Sequence, residues 1–98
     1  KTLAVSVAEH AGQLRVSWDP TEPAVRAADG LQVRSVDDGM IEFDRVTRKQ
    51  LAGGMFLYNR KSTDVLLDMA LEQNGRQTRR ATVRYLSTPP VPQAARVP

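Results

Sequence analysis

The chain has 98 residues, 41% of them hydrophobic and 26% charged, and 14 Lys and Arg against 11 Asp and Glu give a net charge of +3. A single domain with one core is the rule at this length, and the composition is globular rather than disordered or membrane-like. The absence of cysteine excludes disulfides and thiolate metal sites. No apolar run approaches the roughly 18 residues that span a bilayer. Because the chain opens on Lys1 and not on methionine, we expect it to be part of a longer protein.

Two alternating segments begin the chain. Apolar side chains recur at every second position through residues 3–7 and again through residues 13–18, with a break at Ala11-Gly12. This period of two predicts two half-buried β-strands. Residues 21–30, rich in Pro, Ala, Asp and Gly, follow Asp19-Pro20 and predict a connection that crosses between sheets.

The tripeptide Asp37-Asp38-Gly39 separates two further apolar segments, residues 31–36 and 40–46, and predicts a β-hairpin. A two-residue loop would set Val33 opposite Asp44, whereas a three-residue loop matches apolar with apolar and cation with anion. We therefore predict the three-residue loop, with its glycine at positive φ in a bulge. The predicted pairs are Val33 with Phe43, Arg34 with Glu42, and Val36 with Met40.

Residues 44–54 leave two interpretations open. Asp44 could cap a helical turn that directs Val46 and Leu51 inward and ends at Gly53-Gly54. The same residues could equally extend the strand. The sequence therefore leaves both a short helix and a strand end open as the structure of these residues.

The second half returns to a period of two. Residues 55–58 predict a strand, a polar corner follows at residues 59–64, and residues 65–71 give the clearest core strand of the chain. Asn74-Gly75 predicts the turn into a last strand. Because a two-residue loop would set Arg80 beside Met69, we predict a loop with an odd number of residues. The proline-rich residues 87–98 predict a linker or tail, so the domain is expected to span residues 1–86.

Strands at intervals of about 8–12 residues, separated by turn signals, are typical of a sandwich or barrel. The sequence predicts an all-β fold, a two-sheet antiparallel sandwich of about seven strands. Trp18 is its expected core anchor rather than a ligand platform. The predicted core residues are Leu14, Val16, Trp18, Val33, Phe43, Val65, Leu67, Met69 and Val83.

Residues 12–20, Gly-Gln-Leu-Arg-Val-Ser-Trp-Asp-Pro, resemble the second strand of fibronectin type III domains, where a leucine, a β-branched residue and a core tryptophan alternate before a proline. Residues 63–69 are similar to the sixth strand of that family, although Val65 stands in place of the usual tyrosine, and Gly30-Leu31-Gln32-Val33 lacks the aromatic residue usual in the third strand. In its spacing the resemblance covers most of residues 3–86. It implies an immunoglobulin-like or fibronectin III-like module for adhesion, spacing or protein recognition, and it favours a periplasmic, cell-surface or secreted location in a bacterium. The family's Arg-Gly-Asp tripeptide is absent from this chain.

Residues suited to catalysis are scarce. His10, beside the Ala11-Gly12 turn, is the one histidine, so a Ser-His-Asp triad would have to use it, and without cysteine a Cys-His pair is impossible. Asp37-Asp38 cannot alone supply the six or more oxygens that calcium takes. Gly53-Gly54 lacks the lysine and the following helix of a phosphate-binding loop. We therefore expect no enzyme, no cofactor and no metal.

Arginines along the last strand are the one candidate binding feature. Arg76, Arg80 and Arg84 share a face of the predicted strand at intervals of about 13 Å, and such a stripe attracts polyanions, including acidic glycans. Charged residues also protect sheet edges from aggregation, and Asp68 and Glu72 on the neighbouring strand can neutralise the arginines. The lack of interleaved aromatic residues argues against specific nucleic-acid recognition.

Three hypotheses about function follow. The leading one is a non-catalytic spacer or protein-interaction module of a larger protein, which uses an edge strand to bind a partner by β-addition. The alternative is a polyanion- or carbohydrate-binding module that uses the three arginines. The third is an accessory or catalytic fragment of an enzyme whose active site lies in other parts of the parent protein.

Overall fold

The computed structural model describes residues 1–87, and within them seven strands form two antiparallel sheets. The smaller sheet has the order β1-β2-β5 and the larger sheet β4-β3-β6-β7. The predicted all-β, two-sheet sandwich of seven strands is confirmed. Apart from Ser87, the predicted tail lies outside the described residues. The strands are β1 (Ser6–His10), β2 (Gln13–Ser17), β3 (Gly30–Asp37), β4 (Met40–Thr47), β5 (Met55–Asn59), β6 (Asp64–Gln73) and β7 (Arg76–Leu86), and the helices are α1 (Pro23–Ala27) and α2 (Arg48–Leu51).

The core lies between the inner faces of the two sheets. Most of the predicted core residues are buried there, and Val83 is half-buried. The indole Nε1–H of Trp18 donates to the carbonyl oxygen of Leu51 at 3.0 Å, so the tryptophan also holds α2. The core assignment of Phe43 is corrected, because its side chain is 71% exposed. The buried members of the predicted set are Leu14, Val16, Trp18, Val33, Val65, Leu67 and Met69.

The register of the β3–β4 hairpin differs from the predicted one. Val33 pairs with Asp44 and Asp37 pairs with Met40, so the loop is the two-residue Asp38-Gly39. Both loop residues have positive φ, at 54° and 74°, the backbone conformation that matches the twist of a two-residue hairpin. Matching apolar with apolar residues failed as a criterion because β4 is an edge strand whose inner side is covered only at Val46.

The β6–β7 hairpin also has a two-residue loop, Asn74-Gly75, so the prediction of an odd loop was wrong. The extra residue lies in the strand instead. Glu72 pairs with Gln77 and Leu71 pairs with Arg79, which leaves Thr78 without a partner on β6. This β-bulge reverses the alternation of β7. It thereby turns the side chains of Ala81, Val83 and Tyr85 toward the core.

The connection from β4 to β5 contains a strand end and a helix in succession. Strand β4 runs to Thr47, and Thr47 rather than Asp44 caps α2. The Thr47 side chain accepts from the Gln50 backbone N–H, and the Gln50 side chain accepts from the Thr47 backbone N–H, which is a capping box. Gly54 then ends the turn at a φ of +73°. The predicted connection at residues 21–30 contains the one-turn helix α1, which buries Val25.

The first residues pair with the larger sheet before β1 joins the smaller one. Leu3 donates its backbone N–H to the carbonyl oxygen of Arg80 at 2.8 Å, and the Arg80 N–H donates to the carbonyl oxygen of Lys1 at 2.9 Å. Thr2 thus forms a parallel bridge with Arg80, and Leu3 is buried. Residues 1–3 therefore cover the outer edge of β7 near Arg80.

A polar network closes one end of the sandwich. The Arg60 side chain is only 2% exposed, and its Nε and Nη2 lie 2.9 Å from Oε2 of Glu9. Tyr85 donates its hydroxyl to Oε1 of the same carboxylate at 3.0 Å. These hydrogen bonds, first that of Arg60 and then that of Tyr85, hold the pKa of Glu9 below its ordinary value. The network joins β1, the loop after β5, and β7.

Candidate interaction surface

Exposed large apolar side chains are concentrated on two strands of the sandwich. Among the described residues six are strongly exposed, and five of them belong to β4 and β5, which are consecutive in the chain but lie in different sheets. Single exposed apolar residues are ordinary, whereas a cluster of them marks an interaction site. We call these five residues the β4–β5 surface, within which Ile41 and Phe43 face outward from the larger sheet and Met55 and Leu57 face outward from the smaller sheet. They are Met40 (54% exposed), Ile41 (54%), Phe43 (71%), Met55 (41%) and Leu57 (44%).

Strand β4 is an edge of the larger sheet, and half of its backbone groups point away from the fold. Asp37 and Met40 flank the two-residue turn, so they form a hydrogen-bonded pair. Hydrogen-bonded and non-hydrogen-bonded pairs alternate along an antiparallel ladder. The N–H and C=O groups of Ile41, Phe43 and Arg45 are therefore directed outward, where another strand can bind them.

The two faces of β4 differ in chemistry. Ile41 and Phe43 lie on the outer face of the sheet, beside Val36 and Arg34 of β3. Glu42 and Asp44 lie on the inner face and are exposed, because the smaller sheet does not extend over them. The Glu42 carboxylate lies 3.2 Å from Nζ of Lys61. Asp44 has no ion-pair partner among residues 1–87.

A shallow groove separates β4 from β5. It is lined by Asp44, Arg45, Val46 and Gln50 on one side and by Met55, Phe56 and Leu57 on the other. The groove thus combines apolar side chains with the Asp44 carboxylate and with the Arg45 guanidinium, whose charge is paired with Glu72. Such a lining suits a long side chain that has an aliphatic stem and a positive end.

A buried carboxylate fixes the hairpin that carries β4. Asp37, at the end of β3, is 1% exposed. Its carboxylate accepts hydrogen bonds from the Tyr58 hydroxyl and the Lys61 backbone N–H, both at 2.7 Å. It also accepts a hydrogen bond from the Ser62 hydroxyl. Burial is the largest single influence on the pKa of Asp37 and raises it, but these hydrogen bonds together outweigh it and hold the pKa below its ordinary value. Asp37 therefore stays ionised and ties β3 to β5.

The three arginines predicted as a stripe do not share a face. Arg80 pairs with Ala70 on the outer face of the sheet, and Arg84 pairs with Leu66 on that face. Arg76 pairs with Gln73, and because the bulge at Thr78 intervenes, it lies on the opposite face. Arg84 donates two hydrogen bonds to Asp64, at 3.1 and 2.8 Å, and these bonds raise the pKa of Arg84. The stripe is thus divided by the bulge and partly neutralised.

The residues considered for chemistry are dispersed. His10 is exposed at the end of β1, and the oxygens of Asp37 are occupied by donors from the protein itself. Asp64 is bound to Arg84, while Asp68 accepts from Arg34 and Thr82. Within residues 1–87 no three His, Asp or Glu side chains form a group that could hold a metal ion. The same part of the chain contains no helix with the length and apolarity to cross a membrane.

Comparisons of the chain with protein-family models, with curated proteins and with solved structures found no match. The fold and the β4–β5 surface are therefore the basis for interpreting function. Sequence reasoning missed this surface, although a signal was present. Ile41 and Phe43 share one face of a strand and Met40 lies on the other, so a strand with one buried face had to expose at least one of them.

Proposed function

We propose that this chain is a non-catalytic, immunoglobulin-like or fibronectin III-like module of a larger protein and that it binds a protein partner at β4. The division into sheets of three and four strands, with Trp18 following the second strand in the core, supports the family resemblance. One observation carries the proposed function. Three of the six large apolar side chains that are exposed within residues 1–87 lie on the edge strand β4, whose hairpin is held by a buried carboxylate.

Strand addition is the mode of binding that this edge favours. A partner strand would bind the outward N–H and C=O groups of Ile41, Phe43 and Arg45 and would cover the apolar side chains beside them. At the other edge of the larger sheet, residues 1–3 already bind Arg80. The division of Arg76 from Arg80 and Arg84 gives less support to the alternative of a polyanion-binding module.

The test is a selection from a library of random ten-residue peptides displayed on phage, with the domain as bait. Phe43→Pro is the diagnostic variant, because it removes an outward N–H without removing a hydrogen bond to β3. Thr82→Pro is the matched control, since Thr82 has the equivalent outward position on β7, two residues beyond Arg80. We expect selected peptides to bind the domain and the control but not the Phe43 variant. Peptides that bind all three alike, or no enrichment of any peptide, would contradict the proposal.

A further inference from the structure

We infer that the partner segment is a basic extended peptide, in which lysine or arginine alternates with apolar residues. This inference rests on the proposed function and specifies its partner. A strand added to β4 places its side chains alternately on the two faces of the sheet. Those opposite Ile41 and Phe43 meet an apolar row, and those opposite Glu42 and Asp44 meet an acidic row.

Asp44 is the stronger determinant of the two carboxylates. Its side chain is exposed and has no ion-pair partner among residues 1–87, whereas Glu42 is already paired with Lys61. Across from Asp44 the groove continues onto Met55 and Leu57. A lysine or arginine in the added strand can lay its aliphatic stem on these side chains and bring its charge to Asp44. An acidic side chain at that position would be repelled.

The same charges argue against a second copy of this chain as the partner. Two β4 strands related by a twofold axis would pair antiparallel, with the axis near the centre of the strand. An axis at Phe43 puts Glu42 opposite Asp44 of the second copy, an axis at Glu42 puts Glu42 opposite its own copy, and an axis at Asp44 puts Asp44 opposite its own copy. Like charges directly opposite each other destabilise a strand pair. The carboxylates of β4 therefore disfavour pairing with a second β4 strand and favour pairing with a basic strand.

The experiment uses two synthetic ten-residue peptides as probes, one alternating lysine with valine and one alternating glutamate with valine. Binding to the 15N-labelled domain is followed by NMR, with the double variant Glu42→Lys/Asp44→Lys for comparison. We expect the lysine peptide to bind the original domain, to shift the amides of Ile41, Phe43 and Arg45, and to lose at least about tenfold in affinity on the double variant. The glutamate peptide should bind the double variant instead. If the two peptides exchange their preferred protein in this way, the weaker binding of the lysine peptide reflects charge recognition. A variant that had failed to fold would bind neither peptide.

Three results would overturn the inference. They are equal binding of the lysine peptide to both proteins, amide shifts confined to other strands, or a dimer of the domain in sedimentation that Phe43→Pro abolishes. The library selection distinguishes the two levels of proposal. Selected peptides that require Phe43 but lack alternating basic residues would remove the inference and leave the proposed function intact. Selected peptides that do not require Phe43 would remove both.

Discussion

The hydroxyl of Tyr58 donates to Oδ2 of the buried Asp37 over 2.7 Å, and this bond joins the two sheets, because Tyr58 lies on β5 and Asp37 on β3. The same carboxylate accepts from the Lys61 backbone N–H and the Ser62 hydroxyl. A single ionised group therefore organises the corner from which β4 begins. The pKa of Tyr58 is raised, first by burial and then by the hydrogen bond to this carboxylate.

Asp37→Asn should destabilise the domain in a pH-dependent way. At neutral pH we expect a loss of about 2 kcal/mol, because three donors lose a charged acceptor. The pKa of Asp37 is lowered in the folded state from an ordinary value of 3.8. Its stabilising contribution is therefore complete above about pH 4 and is lost as the pH falls through the lower folded pKa. Urea unfolding from pH 7 to pH 2 should show the variant and the original converging in acid. Asp44→Asn is the exposed control, and a constant difference at every pH would contradict the assignment.

Trp18→Ala should cost about 3–5 kcal/mol, since it removes a large core side chain and its hydrogen bond to Leu51. Trp18→Phe keeps most of the packing and should cost less. Both are measured by chemical denaturation followed by circular dichroism. A folded Trp18→Ala protein with an unchanged melting temperature would refute the role of this residue as the core anchor.

Deleting Thr78 should leave the domain folded. The deletion removes the bulge and lets Arg79 follow Gln77 in a regular ladder, with the inward residues of β7 in their places. The Thr78 hydroxyl is buried and makes no hydrogen bond within residues 1–87, so none is lost with it. Deleting Thr82 should unfold the domain, because Val83 and Tyr85 would turn outward. Proton NMR spectra of the two deletion variants show whether each of them is folded. Equal unfolding of both would show that the bulge is required.

The domain should elute early from a heparin column. Arg84 is paired with Asp64, and Arg76 lies on the face opposite Arg80, so these three arginines do not form a continuous cationic stripe. A variant with Glu at Arg76, Arg80 and Arg84 should elute close to a control with Glu at Arg15, Arg26 and Arg48, which has the same net charge. Retention above physiological salt that only the first variant loses would restore the polyanion hypothesis.

The period of two in the sequence predicted most of the strands, because burial on one face imposes it directly, but the first strand, predicted over residues 3–7, lies at Ser6–His10. It could not decide either hairpin register. At Asp38-Gly39 the apolar residues of β4 are not buried against the smaller sheet, so matching them to β3 was misleading. At Asn74-Gly75 the inward residues were assigned correctly, but the shift that achieves this lies in the strand at Thr78 and not in the loop. The candidate surface was missed for a related reason. Whether a strand lies at the edge of a sheet depends on how all the strands assemble. The local alternation of apolar and polar residues carries no information about that assembly.

The bridge between residues 1–3 and Arg80 has a mechanical consequence. The two segments run parallel, so a force that draws Lys1 and Leu86 apart acts along both in opposite directions. The hydrogen bonds from Leu3 to Arg80 and from Arg80 to Lys1 are then loaded together in shear, not one after another as in an unzipping hairpin. Tension applied through the two ends is thus resisted first where the first residues cross the last strand, before the core is disturbed.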